Sequence, residues 1–173
     1  MSVREEIQYL CDIGRLARFW PPLAVPKHRR AMYVSRSIEE LLINSWDSPQ
    51  QELRWGYVLS DLCVFVRDPW VTVAADPRRA KAAYMARLLP DGDEVWDVRC
   101  RDPHPGIRLL GRFAEKNVFI ALTWEERLPL GRFESDEWKA AINRCATEWN
   151  LHFWSDPLRG NYPDDYLDGA DLR

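Results

Sequence analysis

The sequence changes its period at one place, and that change constrains the fold more than any other feature. Pro90-Asp91-Gly92-Asp93 is turn chemistry. Before it, apolar residues recur at helical spacing; after it, they alternate. Trp96, Val98 and Cys100 point one way, while Asp97, Arg99 and Arg101 point the other. A strand sends successive side chains to opposite faces, so this segment reads as a strand with one apolar and one polar face. Asp102-Pro103-His104-Pro105-Gly106 is a tight connection, after which Ile107, Leu109 and Phe113 share a face opposite Arg108 and Arg112. Glu115-Lys116-Asn117 turns the chain again, and Val118 to Trp124 is apolar almost throughout. Three strands joined by short turns predict an antiparallel meander from Glu94 to Trp124.

A helix follows. Ser135 is a good N-cap, and Asp136 and Glu137 suit the positive end of the helix dipole. Trp138, Ala141, Ile142, Cys145 and Trp149 form an amphipathic stripe that the meander is expected to cover. Upstream, Val3, Ile7, Leu10 and Cys11 predict a helix that Leu16 and Phe19 extend to Trp20, where Pro21-Pro22 ends it. Ala31 to Val34 reads as a short strand, and Ser37 with Glu40 as a capping box. Ser48-Pro49 opens a helix running to about Val66, before Asp68-Pro69. Asp76-Pro77 opens another, with Ala80, Ala83 and Tyr84 inward and Leu88 near its end. The expected fold class is α+β: N-terminal helices, an antiparallel β-meander of three to four strands, and a C-terminal helix packed on the sheet. The expected organisation is a helical extension over 1–48, a core over 49–150, and an acidic C-terminal tail over 151–173 carrying Asp164, Asp165, Asp168 and Asp171.

Composition narrows the function classes. The 173 residues suit one domain, and 46% hydrophobic with 29% charged residues is ordinary globular composition. Nine tryptophans read as an aromatic-rich core rather than a base-stacking surface. A formal charge of −3 excludes a global basic field, so any nucleic-acid binding must rest on a local patch. Cys11, Cys63, Cys100 and Cys145 are scattered beside apolar residues and read as buried free thiols. No leader, lipidation motif or membrane-length apolar span is apparent, so a cytoplasmic protein without a membrane partner is expected. His28, His104 and His152 lack metal-ligand spacing, and no phosphate loop, dinucleotide fingerprint or nucleophile elbow is present. Neither a metal nor a cofactor is expected. Lys27, His28, Arg29 and Arg30 form a basic cluster that reads as a solvated loop.

The chemistry-bearing constellation lies on the meander. Pairing the first two strands sets Arg99 and Arg101 beside Arg108 and Arg112, with opposite Cβ atoms about 5 Å apart. Guanidinium groups so placed repel unless an anion or a carboxylate sits among them. Asp97 and the acidic tail are candidate partners, and phosphate is the functional one, because guanidinium grips it in a bidentate way. The bland reading is a solvated sheet face neutralised by Asp97, Glu115 and Glu137.

Val95-Trp96-Asp97-Val98-Arg99-Cys100-Arg101, Ile107-Arg108-Leu109-Leu110 and Val118-Phe119-Ile120-Ala121-Leu122 together resemble the RelE/HigB/ParE toxin superfamily, including phage-derived HigB-like proteins. The resemblance covers about residues 49–150 and extends to the stretch Ala80–Leu88 and the helix Glu137–Trp149. It implies a compact α+β fold, and in the ribonuclease branch a metal-independent mRNA endoribonuclease of a toxin–antitoxin or prophage system. Its partners would be a cognate antitoxin protein and mRNA or the ribosome. By position, Arg99 and Arg101 match the basic residues of the family's first strand, Arg108 matches the arginine of the second, and Arg127 the late basic residue. These four are the expected catalytic residues, with Arg112 and Asp97 binding phosphate or the partner. The chain departs from the family in lacking a convincing Tyr or His between Trp124 and Trp149, and in being acidic. Arginine stays protonated and is a poor general base. Asp97, Glu125, Glu126 and His104 are the alternatives for that role. Two rival readings are a non-catalytic protein- or nucleic-acid-binding module on the same fold, and an unrelated enzyme with a pocket at His28 or His152.

Overall fold

The computed structural model describes residues 1–22, 29–44, 46–79 and 82–172. In chain order these form α1 (Val3–Asp12), β1 (Leu16–Arg18), β2 (Ala31–Ser35), α2 (Arg36–Ile43) and α3 (Pro49–Arg67). Then come β3 (Val71–Ala74), β4 (Met85–Arg87), β5 (Trp96–Cys100), β6 (Ile107–Glu115) and β7 (Val118–Glu126). The chain closes with α4 (Asp136–His152), α5 (Pro163–Tyr166) and β8 (Ala170–Leu172).

Local chemistry explains the boundaries. Ser2 and Glu5 cap α1 reciprocally. The helix stops well short of Trp20, because Gly14 takes φ +71° and hands its N–H to Cys11, while Arg15 donates to Leu10. That pair of bonds is the Schellman stop. The expected capping box at Ser37 is not used: α2 starts one residue after Ser35, and Glu40 instead meets Arg36 at 3.0 Å. α3 has Pro49 in its first turn and ends before Asp68-Pro69, as its sequence requires. Among the described residues from 77 to 88 there is no α-helix. A short 3-10 turn at Pro77–Arg79 leads instead to β4, whose Met85 pairs with Val98. Ala80, part of that expected helix, lies outside the described residues.

The expected fold class needs correction. The meander is present, with β5, β6 and β7 antiparallel neighbours, but it is the centre of one eight-stranded mixed sheet ordered β1-β2-β7-β6-β5-β4-β3-β8. β2 runs parallel to β7, and β3 runs parallel to both β4 and β8. The molecule is therefore a mixed α/β fold, with five α-helices among the described residues, rather than a small antiparallel α+β domain. The physical reason is length. β1, β4 and β8 have three residues each, too few to display alternation against a helical background. β4 pairs with the central β5, while β1 and β8 close the two ends of the sheet on β2 and β3. β1 and β2 come from residues 1–48, and β8 comes from 151–173.

The sheet separates two apolar cores. Trp96, Val98, Ile107, Leu109 and Phe113 pack with Trp55, Val58, Leu62 and Phe65 of α3 and with Ile38 of α2. On the other side, Leu110, Ala114, Ile120 and Leu122 pack with Ile7 and Leu10 of α1 and the full α4 stripe. Gly111 lets β6 and β7 approach: an added Cβ would stand 2.1 Å from the Ile120 carbonyl oxygen and 2.7 Å from the Phe119 ring. Just beyond it the register slips, as Leu110 pairs with Thr123 but Gly111 with Ala121. This bulge puts Leu122 and Thr123 side by side and redirects the end of β7. Glu125 there meets Arg144 of α4, and Glu126 meets Arg54 of α3 at 3.0 Å.

Candidate anion-binding site

The face expected to be solvated is covered over three of its four arginines, with α4 above Arg112 and with Pro77 and Phe133 against Arg99, while Arg101 is exposed. Arg99, Arg108 and Arg112 are 6%, 8% and 5% exposed, and Asp97 is fully buried. β-pairing sets Arg99 directly opposite Arg108. Like charges in that position repel, and Asp97 sits between them. Arg99 Nε donates to both Asp97 oxygens at 3.1 and 3.2 Å, and Arg108 Nε stands 3.4 Å from Oδ2. The Ala86 N–H adds a third donor to Asp97 at 3.2 Å. With its oxygens engaged in this way, Asp97 is an ion-pair partner rather than a free base.

Asp97 leaves one donor of Arg108 unmet. Arg108 Nε finds no acceptor of hydrogen-bond geometry, and the described bond of its guanidinium is from Nη1 to the Ile107 carbonyl at 3.1 Å. Burial pushes its pKa down to about 10, and Arg99, Arg127 and Arg101 push the same way against Asp97. Arg101 is held on the Ala83 carbonyl at 2.7 Å, and its pKa is lowered by burial and by Arg99. Asp61 and Asp102 partly offset that. Arg127 reaches in from beyond β7, with Nη1 on the Gly131 carbonyl at 2.8 Å. Its guanidinium lies 6.0 Å from the Phe133 ring and 5.9 Å from Trp138. Arg99 lies 5.8 Å from the same Phe133 ring. Thus Arg99, Arg101, Arg108 and Arg127 converge where β5 ends and β6 begins, around one buried carboxylate.

Arg112 does not join them. It lies further along β6 beneath α4, 6.0 Å from the Trp149 ring, with Nε lacking an acceptor. Burial lowers its pKa; Cys145, Asp93 and Glu94 attract it at a distance, and Arg159 repels it. The acidic tail is engaged elsewhere: Asp168 meets Lys116 at 2.8 Å, and Asp165 binds the Asn161 and Tyr162 amides. His104 is exposed, His152 stands 3.4 Å from Glu148, and Lys27 and His28 lie outside the described residues. Among the described residues, no three His, Cys, Asp or Glu side chains gather as metal ligands would.

Two structural residues escaped the sequence reading. Arg30 is buried, not solvated, and donates to the carbonyls of Phe65, Asp168 and Asp68 at 2.7, 2.6 and 2.5 Å. It thereby caps the end of α3 and ties it to the C-terminal segment. Phe133, stacked on Trp138 at 4.8 Å and facing two guanidiniums, belongs to a loop with no period to mark it. Pro129 and Gly131 mark that loop as a turn but say nothing of where Phe133 packs.

No family model matches the chain, and no curated protein or solved structure matches it either.

Proposed function

We propose that the protein is a binding module for a phosphate-bearing polymer, with RNA as the ligand, acting through the arginine cluster at the ends of β5 and β6. The observation that carries this reading is Arg108. Its Nε is a buried donor without an acceptor of hydrogen-bond geometry, and Arg99, Arg127 and Arg101 press on it together against Asp97. A phosphodiester would add negative charge and acceptors beside it. Arg101 and Arg127, at the more accessible side of the cluster, would meet the ligand first. The resemblance of β5, β6, β7 and α4 to RelE/HigB-like toxins favours RNA over an acidic protein. Action in the cytoplasm follows from that ligand.

A second, catalytic reading rests on the same resemblance: a metal-independent mRNA endoribonuclease, held by a cognate antitoxin. In it Arg99, Arg101, Arg108 and Arg127 stabilise charge on the crowded phosphorus. The proton acceptor must then be a group other than Asp97, which Arg99 and the Ala86 amide already engage.

The test is fluorescence anisotropy with a labelled single-stranded RNA over a range of salt. Binding should weaken as salt rises, and Arg101→Ala with Arg127→Ala should reduce the log–log slope by about 1.4, at about 0.7 per phosphate contact. Salt-independent binding, or an unchanged slope in the double variant, would sink the reading. Growth arrest on expression, relieved by Arg99→Ala with Arg108→Ala, separates the catalytic version from simple binding.

A further inference from the structure

The segment between β7 and α4 lays Phe133 against two arginines of the cluster, Arg99 and Arg127. Leu130 is buried in the α4 core, so the segment is anchored at its middle. Ser135 caps α4 and its hydroxyl also donates to the Leu130 carbonyl at 2.9 Å. Between these fixed points, Gly131 takes φ +61° and Glu134 takes φ +69°. The left-handed region suits glycine but strains glutamate, and such strain persists only where surrounding contacts enforce it. The contacts here are those of Phe133: its ring stacks on Trp138 and meets Arg99 and Arg127, two of the groups that repel Arg108. A cavity of about 20 Å³ adjoins the ring, bounded by Leu88, Leu89, Trp138 and Ile142. The ring is therefore held at the rim of the α4 core by Trp138 and by two cations, is only partly buried, and is not packed on every side.

We propose that Gly131–Glu134 is a lid that closes the phosphate site, with Phe133 as its latch, and that a phosphodiester reaches Arg108 only when the ring leaves Arg99 and Arg127. This rests on the RNA-binding reading and adds its regulation. In the closed state Phe133 lays a π face on Arg127 and on Arg99, which also keeps its pairing with Asp97. A ligand phosphate replaces that contact with charge-assisted hydrogen bonds. Opening also releases the backbone strain at Glu134. The closed lid lowers apparent affinity by the fraction of molecules that are open.

The experiment measures affinity for the same labelled single-stranded RNA in Phe133→Ala, Phe133→Leu, Arg108→Ala and the Arg108→Ala, Phe133→Ala double variant. With an open state populated at about 0.1–10%, Phe133→Ala should bind about 10-fold tighter or more. Phe133→Leu should fall between it and the parent. The gain should vanish in the double variant. Unchanged or weaker binding in folded Phe133→Ala overturns the lid, as does a gain that survives loss of Arg108. If Phe133→Ala does not fold, Phe133→Leu decides by the same criterion. Should Arg108→Ala alone bind as well as the parent, the arginine site itself fails, and that outcome is distinct from failure of the lid.

Discussion

Arg112→Met is expected to make the protein more stable, although it removes a buried charge that many proteins would need. The guanidinium lies beneath Trp149 at 6.0 Å, its Nε has no acceptor, and Glu94, which attracts it, is itself paired with Arg87 and Tyr166. A buried donor left unsatisfied costs about 1–3 kcal/mol. Removing the head also forfeits a cation–π contact worth about 0.5–2 kcal/mol. Methionine keeps the apolar stem and returns a sulfur–aromatic contact of about 0.3–1.5 kcal/mol. The balance is a gain of about 1–2 kcal/mol, and at about 2–4 °C per kcal/mol for a domain of this size Tm should rise by about 2–8 °C. Calorimetry and urea titration at neutral pH read it directly. Arg112→Lys is the control: it keeps the charge but concentrates it on a more strongly hydrated ammonium, and should be less stable than the parent. A methionine variant less stable by more than about 1 kcal/mol would show that the guanidinium is well satisfied, and would refute the reasoning.

Two further outcomes concern packing and pH. Gly111→Ala forces a methyl into the Ile120 carbonyl and the Phe119 ring, and should cost about 3 kcal/mol or more in urea titration because backbone cannot yield cheaply in a central strand. Burial pushes the Cys145 thiol from its ordinary value near 9 up to about 12. Its folded pKa is raised, so its contribution is complete below about pH 9 and is lost as pH rises towards 12. Stability curves should therefore fall across that window, and Cys145→Ala should flatten the fall. Arg108 acts with the opposite sign above about pH 10, since its folded pKa is lowered.

The parts legible in the sequence were those with enough length to show a period. α3 and α4 announced themselves through Pro49, Ser135 and long apolar stripes, and β5, β6 and β7 through alternation. β1 was hidden because Leu16 happens to continue the α1 stripe past Gly14, and β4 because Ala83, Tyr84 and Leu88 mimic helical spacing. The grouping of Arg99, Arg101 and Arg108 was legible from parity alone. The burial of Arg99 and Arg108 was not, because an alternating polar face looks the same whether water or protein lies over it. The separation of Arg112 from the cluster depends on which α4 residues sit above each position, and no single-strand pattern encodes that.

The place of β8 in the sheet has a consequence for how the chain is made. β3 lies between β4 and β8, and β8 ends at Leu172. During synthesis the outer edge of β3 therefore stays open until residues 170–172 have left the ribosome. Arg30 waits as long, since one of its three carbonyl acceptors belongs to Asp168. The β3–β8 pairing and the Arg30–Asp168 bond thus join residues far apart in sequence, which is the slow kind of contact to form. A nascent chain stopped short of Asp168 is left with the β3 edge unpaired and with one of the three carbonyl acceptors of Arg30 missing.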